Sequence, residues 1–395
     1  MTRILFCLIP EKGHVNPYIG PAQALLAASH EVAIYSPADI STQLAAAGID
    51  LFVGARRKLD AHRSTELATR IRDAAWLRTW IKTLLVDEAE SQIEPLRRLM
   101  QAIQPDVVAI DPMMYPAAIA AELEGLPWAS VSNSLNPALP ATLDSELLRT
   151  VAWLAPERQA LFARHGMADA TFRGCDVLSP HLTIAFTTRE LVGDVPGIEL
   201  VGPSLPRRRR GDEPELSFTP TGPLIYVSFG SQISYQPALF RRVLDAVADR
   251  PVQLLASAGD LATSGELGAL PPNVLLRPYV PQLAVLQLAA VMLTHGGANS
   301  VMEAIAWAVP LLVAPLCNDQ FHQTYFIKRT GIGRTLDAEH ATAAEIGSAL
   351  DALLAFGPER LAMIGLSVSY QRDGAATTAR LLIELAARSR QARAS

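Results

Sequence analysis

The chain has 395 residues, which is enough for two domains with sizeable cores. Half of the residues are hydrophobic and the formal net charge is -5, so neither general nucleic-acid binding nor attraction to an anionic membrane is indicated. The three cysteines, Cys7, Cys175 and Cys317, lack the spacing of metal ligands and fit buried thiols in a reducing cytoplasm. The N-terminal apolar run is too short for a secretory signal, and polar and turn residues interrupt the long apolar stretch at 280–317. We therefore expect a cytoplasmic protein without an integral membrane segment.

The first half of the chain alternates between short apolar runs and longer segments of helix-forming residues. Strands are predicted at residues 3–9, 31–35, 49–53, 106–111, 128–132 and 183–187. Helices are predicted at residues 18–28, 39–47 and 114–124, and a loop that carries Gly13 and His14 is predicted at residues 10–17. Apolar strands that alternate with helices are typical of a doubly wound α/β domain with a parallel sheet.

A polar segment rich in arginine separates the two halves. Residues 203–221 include Pro206, an arginine run at 207–210 and few side chains that could build a core. The arginines could contact phosphate, but a solvated linker face is the favoured interpretation. We therefore predict an N-terminal domain at residues 1–205, a linker at 206–221 and a C-terminal domain at 222–374.

The second half repeats the alternation of strands and helices. Strands are predicted at residues 224–229, 252–256, 274–276, 289–294 and 311–314, and helices at 240–248, 319–329, 342–355 and 375–387. Thr342 and Glu345 have the spacing of a capping box at a helix start. The basic tail from Arg388 is predicted to fray. This pattern predicts a second α/β domain.

The stretch from His295 to Glu303 carries the clearest chemical signal. An apolar strand is followed by two glycines and then by helix-forming residues, and the free N–H groups at such a helix start favour an anion. Asn299 and Ser300 could add side-chain donors, and His295 follows the carboxyl end of the strand, where ligands bind in open α/β sheets. Taken alone, the pattern also fits a plain strand-to-helix turn in which the glycines only satisfy the backbone geometry.

The same stretch resembles the nucleotide-sugar signature of the UDP-dependent glycosyltransferase superfamily. The polar members of that signature occur here in order, as His295, Asn299, Ser300, Glu303, Asp319 and Gln320. Its upstream partner occurs as Tyr279-Val280-Pro281-Gln282. Two positions depart from the pattern, since Ala308 replaces a glycine and Tyr279 stands where many members have tryptophan. The resemblance implies the GT-B fold, in which two Rossmann-like doubly wound α/β domains face a cleft, and it implies that residues 375–395 return as a helix to the N-terminal domain.

The resemblance also implies a role for each matching residue on a nucleotide sugar. The diphosphate would be bound by Ser231, His295, Gly297, Asn299 and Ser300. The ribose would be bound by Glu303, the sugar hydroxyls by Asp319 and Gln320, and the rest of the nucleotide by Tyr279, Val280 and Gln282. No metal site is expected, because no Asp-x-Asp pair lies near the signature.

A second resemblance concerns the catalytic base. Gly13-His14-Val15-Asn16-Pro17 is similar to the Gly-His-x-x-Pro motif of the superfamily, whose histidine is the general base. Neutral histidine suits this task because its ordinary pKa lies near the working pH. The carboxylate partner would be Asp111, at the end of a predicted strand, with Asp106 as the weaker candidate. An isolated loop histidine is usually a surface residue, and only the presence of both motifs favours a catalytic role.

The resulting hypothesis is an inverting, metal-independent glycosyltransferase without a cofactor. Its donor would be UDP-glucose, or alternatively a dTDP-sugar, and its acceptor a hydroxyl of an apolar natural product, because related bacterial enzymes act on macrolides, polyketides and similar compounds. Two other functions stay open at this point, a nucleotide-sugar epimerase on the same fold and a non-catalytic partner of a true transferase. The sequence indicates neither the acceptor nor the oligomeric state.

A helical region is predicted at residues 61–100. Two stripes with a spacing of four run along it, formed by Trp76, Trp80 and Leu84 and by Leu77, Ile81 and Leu85. The favoured interpretation is a helix packed on the domain core. The alternative is an inserted helix whose aromatic face lines an acceptor pocket.

Overall fold

The computed structural model describes residues 1–49, 51–54, 68–71, 73–207, 210 and 213–394. The chain divides into two compact units. The first unit comprises Met1–Leu59, Asp73–Asp212 and Arg372–Ser395, and the second comprises Asp60–Arg72 and Glu213–Gln371. The arginines at 208 and 209 of the predicted linker, and part of the predicted helical region at 61–100, lie outside the described residues.

A parallel sheet forms the core of the first unit. Its strands and an adjoining hairpin are β1 (Arg3–Cys7), β2 (Glu31–Tyr35), β3 (Val107–Ile110), β4 (Trp128–Ser132), β5 (Thr171–Arg173), β6 (Asp176–Leu178), β7 (Leu182–Ala185) and β8 (Glu199–Leu200). The sheet has the order β2-β1-β3-β4-β7-β8, and β5 pairs with β6 in the antiparallel hairpin. Of the strand predicted at 49–53, residue 50 lies outside the described part, and Phe52 makes one parallel bridge to Ile34.

Helices flank this sheet. They are α1 (Lys12–Ala27), α2 (Ser41–Ala46), α3 (Ala74–Lys82), α4 (Ala89–Ile103), α5 (Tyr115–Leu123), α6 (Glu146–Arg164) and α7 (Arg189–Val192). A π-helical turn at Thr83–Asp87 joins α3 to α4. Leu77 and Ile81 of α3 are buried, as the core interpretation expects, whereas the stacked rings of Trp76 and Trp80 are only half-buried.

The predicted loop at 10–17 is wrong, because α1 begins at Lys12 and includes His14. The helix contains Pro17 and Pro21, which cannot donate to the carbonyls four residues earlier. Side chains from elsewhere in the unit serve these carbonyls instead. The Asn133 amide donates to the Gly13 carbonyl at 3.3 Å, and the Ser204 hydroxyl donates to the Pro17 carbonyl at 2.5 Å. Tertiary hydrogen bonds thus support a helix that the local sequence disfavours.

The second unit has its own parallel sheet. Its strands are β9 (Leu224–Ser228), β10 (Gln253–Ser257), β11 (Val274–Arg277), β12 (Ala289–Thr294), β13 (Leu311–Val313) and β14 (Gly333–Thr335), in the order β11-β10-β9-β12-β13-β14. Its helices include α8 (Pro237–Val247), α9 (Gln282–Leu286), α10 (Ala298–Ala306), α11 (Gln320–Thr330), α12 (Ala343–Leu354) and α13 (Pro358–Ser367). The predicted capping box is confirmed, since Thr342 and Glu345 exchange their hydrogen bonds at the start of α12.

The end of α10 shows what the departure at position 308 does. Ala308 has a φ of +54°, in the left-handed region that normally selects glycine. Its N–H donates to the carbonyl of Ile305, and the N–H of Val309 donates to the carbonyl of Ala304. These two bonds form a Schellman motif. The helix therefore keeps its usual ending with alanine in a strained backbone conformation.

The last helix, α14 (Gly374–Ala394), belongs to the first unit and packs against α1. It is longer than predicted, and the basic tail from Arg388 is helical rather than frayed. Arg390 pairs with Asp106 at 3.0 Å, and the Arg393 guanidinium donates to the carbonyl of Gly125. These contacts with the turns that precede β3 and β4 explain why the helix continues.

No single helix in the described part of the chain is long and apolar enough to cross a membrane. One pair of helices separated by a bend of 58°, Ala343–Leu354 and Pro358–Arg393, passes the same length and composition test when taken together.

Candidate functional site

Each sheet has one place where the strand order reverses direction, and the candidate residues lie there. In the first unit this place is between β1 and β3, which are followed by His14 and Asp111 respectively. In the second unit it is between β9 and β12, which are followed by Gly230 and His295. Open α/β sheets bind ligands outside the carboxyl ends of their strands at such reversals. The topology thus brings together residues that are far apart in the sequence.

His14 and Asp111 form a close pair in the first unit. Nδ1 of His14 lies 2.6 Å from Oδ2 of Asp111, and the Asp111 side chain is fully buried while 20% of the His14 side chain is exposed. The other carboxylate oxygen accepts from the backbone N–H of Met113 at 3.1 Å. This bond holds the carboxylate, and the carboxylate places the imidazole proton on Nδ1. Asp106 lies at the opposite end of β3, where it binds Arg3 and Arg390 rather than a histidine.

Asn133 contacts both members of this pair. Its Nδ2 atom lies 3.0 Å from Nδ1 of His14, 3.4 Å from Oδ2 of Asp111 and 3.3 Å from the carbonyl of Gly13. Because the carboxylate of Asp111 and the carbonyl of Gly13 only accept hydrogen bonds, the amide nitrogen rather than its oxygen faces them, and His14, with its proton on Nδ1, does not accept a hydrogen bond from this amide. Asn133 therefore fastens the start of α1 to the carboxylate that orients His14.

A second carboxyl group is buried near the pair. Asp176, at the start of β6, accepts hydrogen bonds from the Ser132 hydroxyl at 2.5 Å and the Asn136 amide at 2.7 Å. Burial raises the pKa of Asp176 to about 7, hydrogen bonds from Asn136 and Ser132 oppose this shift, and the charge of Asp111 adds to it. The first unit thus holds two carboxyl groups with different surroundings close to one histidine.

His295 lies between two glycines in the second unit. A Cβ atom at Gly230 would lie 2.7 Å from Nε2 of His295, and a Cβ atom at Gly297 would lie 2.6 Å from the same atom. Real side chains do not approach so closely, so both positions must lack a Cβ for the ring to occupy this place. Gly230 also has a φ of +82°. The glycines therefore set the position of the imidazole as well as the course of the backbone.

The surroundings of His295 keep it uncharged. The residue is 9% exposed, and burial lowers the pKa of His295 from 6.5 to about 4, although a hydrogen bond with the backbone of Ser228 partly opposes the shift. At neutral pH the imidazole can donate an N–H but carries no positive charge. Beside it, Gly297 is the N-cap residue of α10, and the first N–H groups of this helix have no carbonyl acceptor within the helix. The site can bind an anion through oriented donors.

Gln282, Ser300 and Glu303 meet in a polar cluster behind this helix start. Glu303 is fully buried, and its Oε2 atom accepts from Nε2 of Gln282 at 2.6 Å. The same amide nitrogen lies 3.4 Å from the Ser300 hydroxyl, and the Gln282 oxygen accepts from Tyr226 at 3.3 Å. Gln282 therefore orients the carboxylate that the resemblance assigns to the ribose.

The remaining residues predicted to bind the nucleotide sugar lie in other loops and helix starts of the second unit. The oxygen of the buried Gln320 side chain accepts from the backbone N–H groups of Leu316 and Cys317 at 2.8 and 3.0 Å, so in this structure Gln320 holds its own loop. Asp319 precedes α11 without a side-chain cap bond. The other four occupy the loops and the helix start around His295: Ser231 is exposed, Tyr279 and Asn299 are half-buried, and Val280 is buried.

Sequence reasoning missed Asn133, Asp176 and Tyr226. A signal existed for Asn133, because it directly follows the predicted strand at 128–132 and so lies at the same sheet edge as Asp111. Tyr226 was read only as part of an apolar strand. Asp176 follows a glycine and a cysteine in a hairpin, a pattern that indicates nothing about its burial.

Comparison with known proteins identifies the family. The family described as UDP-glucoronosyl and UDP-glucosyl transferase matches residues 211–361. Oleandomycin glycosyltransferase of Streptomyces antibioticus is 30% identical over 366 residues, which cover 85% of this chain and 79% of that protein.

Two solved structures show the same fold. The crystal structure of the glycosyltransferase of kitacinnamycin matches with a TM-score of 0.76 and 24% identity over 97% of this chain and 99% of that one. Glycosyltransferase VinC in complex with dTDP matches with a TM-score of 0.69 and 21% identity over 98% of this chain and 100% of that one. The chain therefore belongs to the UDP-dependent glycosyltransferase superfamily, as a glycosyltransferase of the natural-product type with the GT-B fold.

Proposed function

We propose that the protein transfers a hexose, with glucose as the first candidate, from UDP to a hydroxyl of an apolar natural product, with inversion at the anomeric carbon and without a metal ion. The observation that carries the proposal is the contact between the buried Asp111 carboxylate and the partly exposed His14, because it is the arrangement of a general base with its orienting carboxylate. An epimerase acts on the nucleotide sugar alone, so it would not need this pair to take a proton from an acceptor.

In the proposed reaction the acceptor loses its proton to His14. Since Nδ1 faces Asp111, the proton goes to Nε2 of the imidazole. The acceptor oxygen then forms a bond to the anomeric carbon while the bond from that carbon to the diphosphate oxygen breaks, and the electron pair leaves with the diphosphate. Asp111 balances the positive charge that His14 gains. A single displacement of this kind inverts the anomeric configuration.

The donor residues of the second unit would stabilise the leaving diphosphate. The neutral His295 N–H, the hydroxyl of Ser231 and the N–H groups from Gly297 to Ser300 at the start of α10 are donors suited to a charge that develops during the reaction. Asn299 adds a side-chain amide. Asp319 and Gln320 would contact the sugar, the latter through its Nε2 atom.

The surroundings of Glu303 bear on which nucleotide the sugar donor carries. Glu303 is buried and held by Gln282, which suits a carboxylate that accepts two ribose hydroxyl groups. UDP offers both hydroxyl groups and dTDP lacks the 2′-hydroxyl, so this cluster favours UDP. The complex of the relative VinC with dTDP keeps a dTDP-sugar as the second candidate donor.

One screen tests the whole proposal. The enzyme is incubated with each of four donors, UDP-glucose, UDP-galactose, dTDP-glucose and a dTDP-deoxysugar, and with each of three acceptors, a macrolide, a flavonoid and an aliphatic alcohol. The masses of the products are measured by mass spectrometry. We expect transfer from UDP-glucose, a product with inverted anomeric configuration by NMR, and unchanged activity in EDTA. Activity that EDTA abolishes and Mg²⁺ restores would contradict metal independence. Turnover of the UDP-sugar without any acceptor would favour an epimerase, and nucleotide binding without turnover a non-catalytic partner.

A further inference from the structure

Asp176 is a buried titratable group that the proposed reaction does not yet use. It is 2% exposed, and both oxygens of its carboxyl group accept hydrogen bonds from the segment formed by the end of β4 and the residues that follow it. Ser132 supplies one bond and Asn136 the other. A buried carboxyl group is unfavourable unless it accepts hydrogen bonds of this kind. The conformation of the segment therefore depends on Asp176.

The same segment reaches the catalytic pair. Asn133 lies between the two anchors of Asp176 and contacts both His14 and Asp111. Asp176 also interacts with the pair through charge, because Asp111 disfavours its ionised form and a protonated His14 favours it. The interaction is reciprocal, so an ionised Asp176 favours the protonated form of His14.

Two tyrosines and an arginine near Asp176 do not change charge near neutral pH. Tyr18 of α1 and Tyr115 of α5 both interact with its charge, and burial, first among the causes, raises the pKa of each phenol far above the neutral range. Arg158 of α6 lies 3.4 Å from the Tyr115 hydroxyl and stays positive throughout. These three side chains therefore add no charge change of their own to the interaction between Asp176 and His14 near neutral pH.

We propose that Asp176 is a positioning residue for the transfer reaction, a second buried carboxylate that acts through His14 by favouring the imidazolium formed when the acceptor loses its proton. The inference rests on the proposed function of His14. It adds a requirement beyond His14 and Asp111. Catalysis would also need a negative charge on a residue that touches neither substrate.

The test compares Asp176→Asn with the wild type across pH. Asparagine can keep both hydrogen bonds, since its oxygen can accept from Asn136 and its amide can donate to Ser132, so the substitution mainly removes the charge. Asp169→Asn is the matched control, because it removes an exposed carboxylate in the same unit. With an aliphatic alcohol and saturating donor, we expect kcat of Asp176→Asn to be about 10-fold lower at pH 8.5 and to change much less at pH 6, where the wild-type carboxyl is mostly protonated. The donor KM should not change.

A second readout does not depend on catalysis. The His14 imidazole is titrated by NMR in both proteins, with His14→Gln to assign its signal, and in Asp176→Asn it should gain its proton only at a lower pH than in the wild type. An equal loss of kcat at pH 6 and pH 8.5 together with an unmoved His14 titration would overturn the proposal in favour of a structural role. If the wild type shows no transfer at all, the proposed function has failed, and the NMR titration still decides whether Asp176 acts on His14.

Discussion

Each unit places a histidine at the reversal of its sheet, after β1 in the first unit and after β12 in the second, and the two histidines have opposite surroundings. His14 is partly exposed and contacts the fully buried carboxylate of Asp111. His295 is buried between two glycines, and its polar contacts are with the backbone of Ser228 and the hydroxyl of Thr294. The carboxylate equips the first ring to accept a proton. Burial keeps the second ring neutral, and a neutral imidazole has one N–H to donate.

This difference shows how a fold can repeat without repeating its chemistry. Both histidines follow a strand at the reversal of a parallel sheet, which only fixes that a ligand can reach them. The residues that differ are their immediate neighbours. A charged partner suits a group that changes protonation state, whereas small uncharged neighbours suit a group that must keep one state.

The largest expected effect comes from removing the proton acceptor. His14→Ala should lower transfer to an aliphatic alcohol by about 10²–10⁴-fold, the usual contribution of a positioned general base. Its affinity for UDP should not change, because His14 belongs to the other unit. An acidic phenol should restore part of the rate, since it supplies its own oxyanion. Near-full activity on the aliphatic alcohol would place the base elsewhere.

Asp111→Asn tests whether the carboxylate is the reason that His14 and His295 differ in function. We expect a smaller loss than for His14→Ala, because the amide can keep a hydrogen bond but cannot balance the imidazolium. The double variant should be no slower than His14→Ala alone, since Asp111 acts through His14. Steady-state kinetics of the two single variants and the double variant measure this. Losses that multiply would show that Asp111 has an independent role.

A Cβ at Gly297 should disturb the second histidine and leave the first untouched. Gly297 has a φ of -61°, which alanine adopts readily, so the effect of Gly297→Ala would come from the contact with the His295 ring. We expect UDP affinity, measured by calorimetry, to fall about 10-fold, roughly the contribution of one hydrogen bond to a charged group. Gly222→Ala, where a Cβ would meet no atom within 4 Å, is the matched control. Unchanged affinity in Gly297→Ala would mean that the ring position does not matter.

The smallest expected effect concerns the backbone at the end of α10, the helix that follows His295. The helix that carries His14 relies on Asn133 and Ser204 to serve its carbonyls, whereas the helix after His295 ends on Ala308 with a positive φ. Ala308→Gly should raise the free energy of unfolding by up to about 1 kcal/mol, because glycine adopts this conformation without strain. Denaturation in urea measures the change, and a destabilised variant would contradict the account of this turn.

Much of the architecture was predictable because strands and helices follow local patterns. The strands at both reversals and the Thr342–Glu345 capping box were placed correctly. The start of α1 was not, since Pro17 argues against a helix and the compensating amide comes from Asn133, more than one hundred residues away. The extension of the last helix was missed for the same reason, because its partners Asp106 and Gly125 are remote in sequence.

The candidate site shows the same limit. Motif spacing selected His14 and His295, but the charge state of His295 follows from burial, which no motif displays. The burial of the second carboxyl group, that of Asp176, depends on a hairpin whose strand β6 contacts β4, and nothing in its neighbouring residues indicates this. Contacts between remote segments therefore determine the chemistry of both histidines.

The most direct test of the account is the protonation state of His295. Imidazole nitrogen shifts are recorded by NMR from pH 8 to pH 5, with His295→Gln to assign the signal. We expect the ring to stay neutral over this whole range, since its pKa lies at about 4. The unfolded chain binds this proton near pH 6.5 and the folded chain does not, so the contribution of His295 to stability should be lost as the pH falls from about 6.5 to about 4. A His295 that gains its proton near pH 6.5 would contradict the claim that the two units hold one base and one neutral donor.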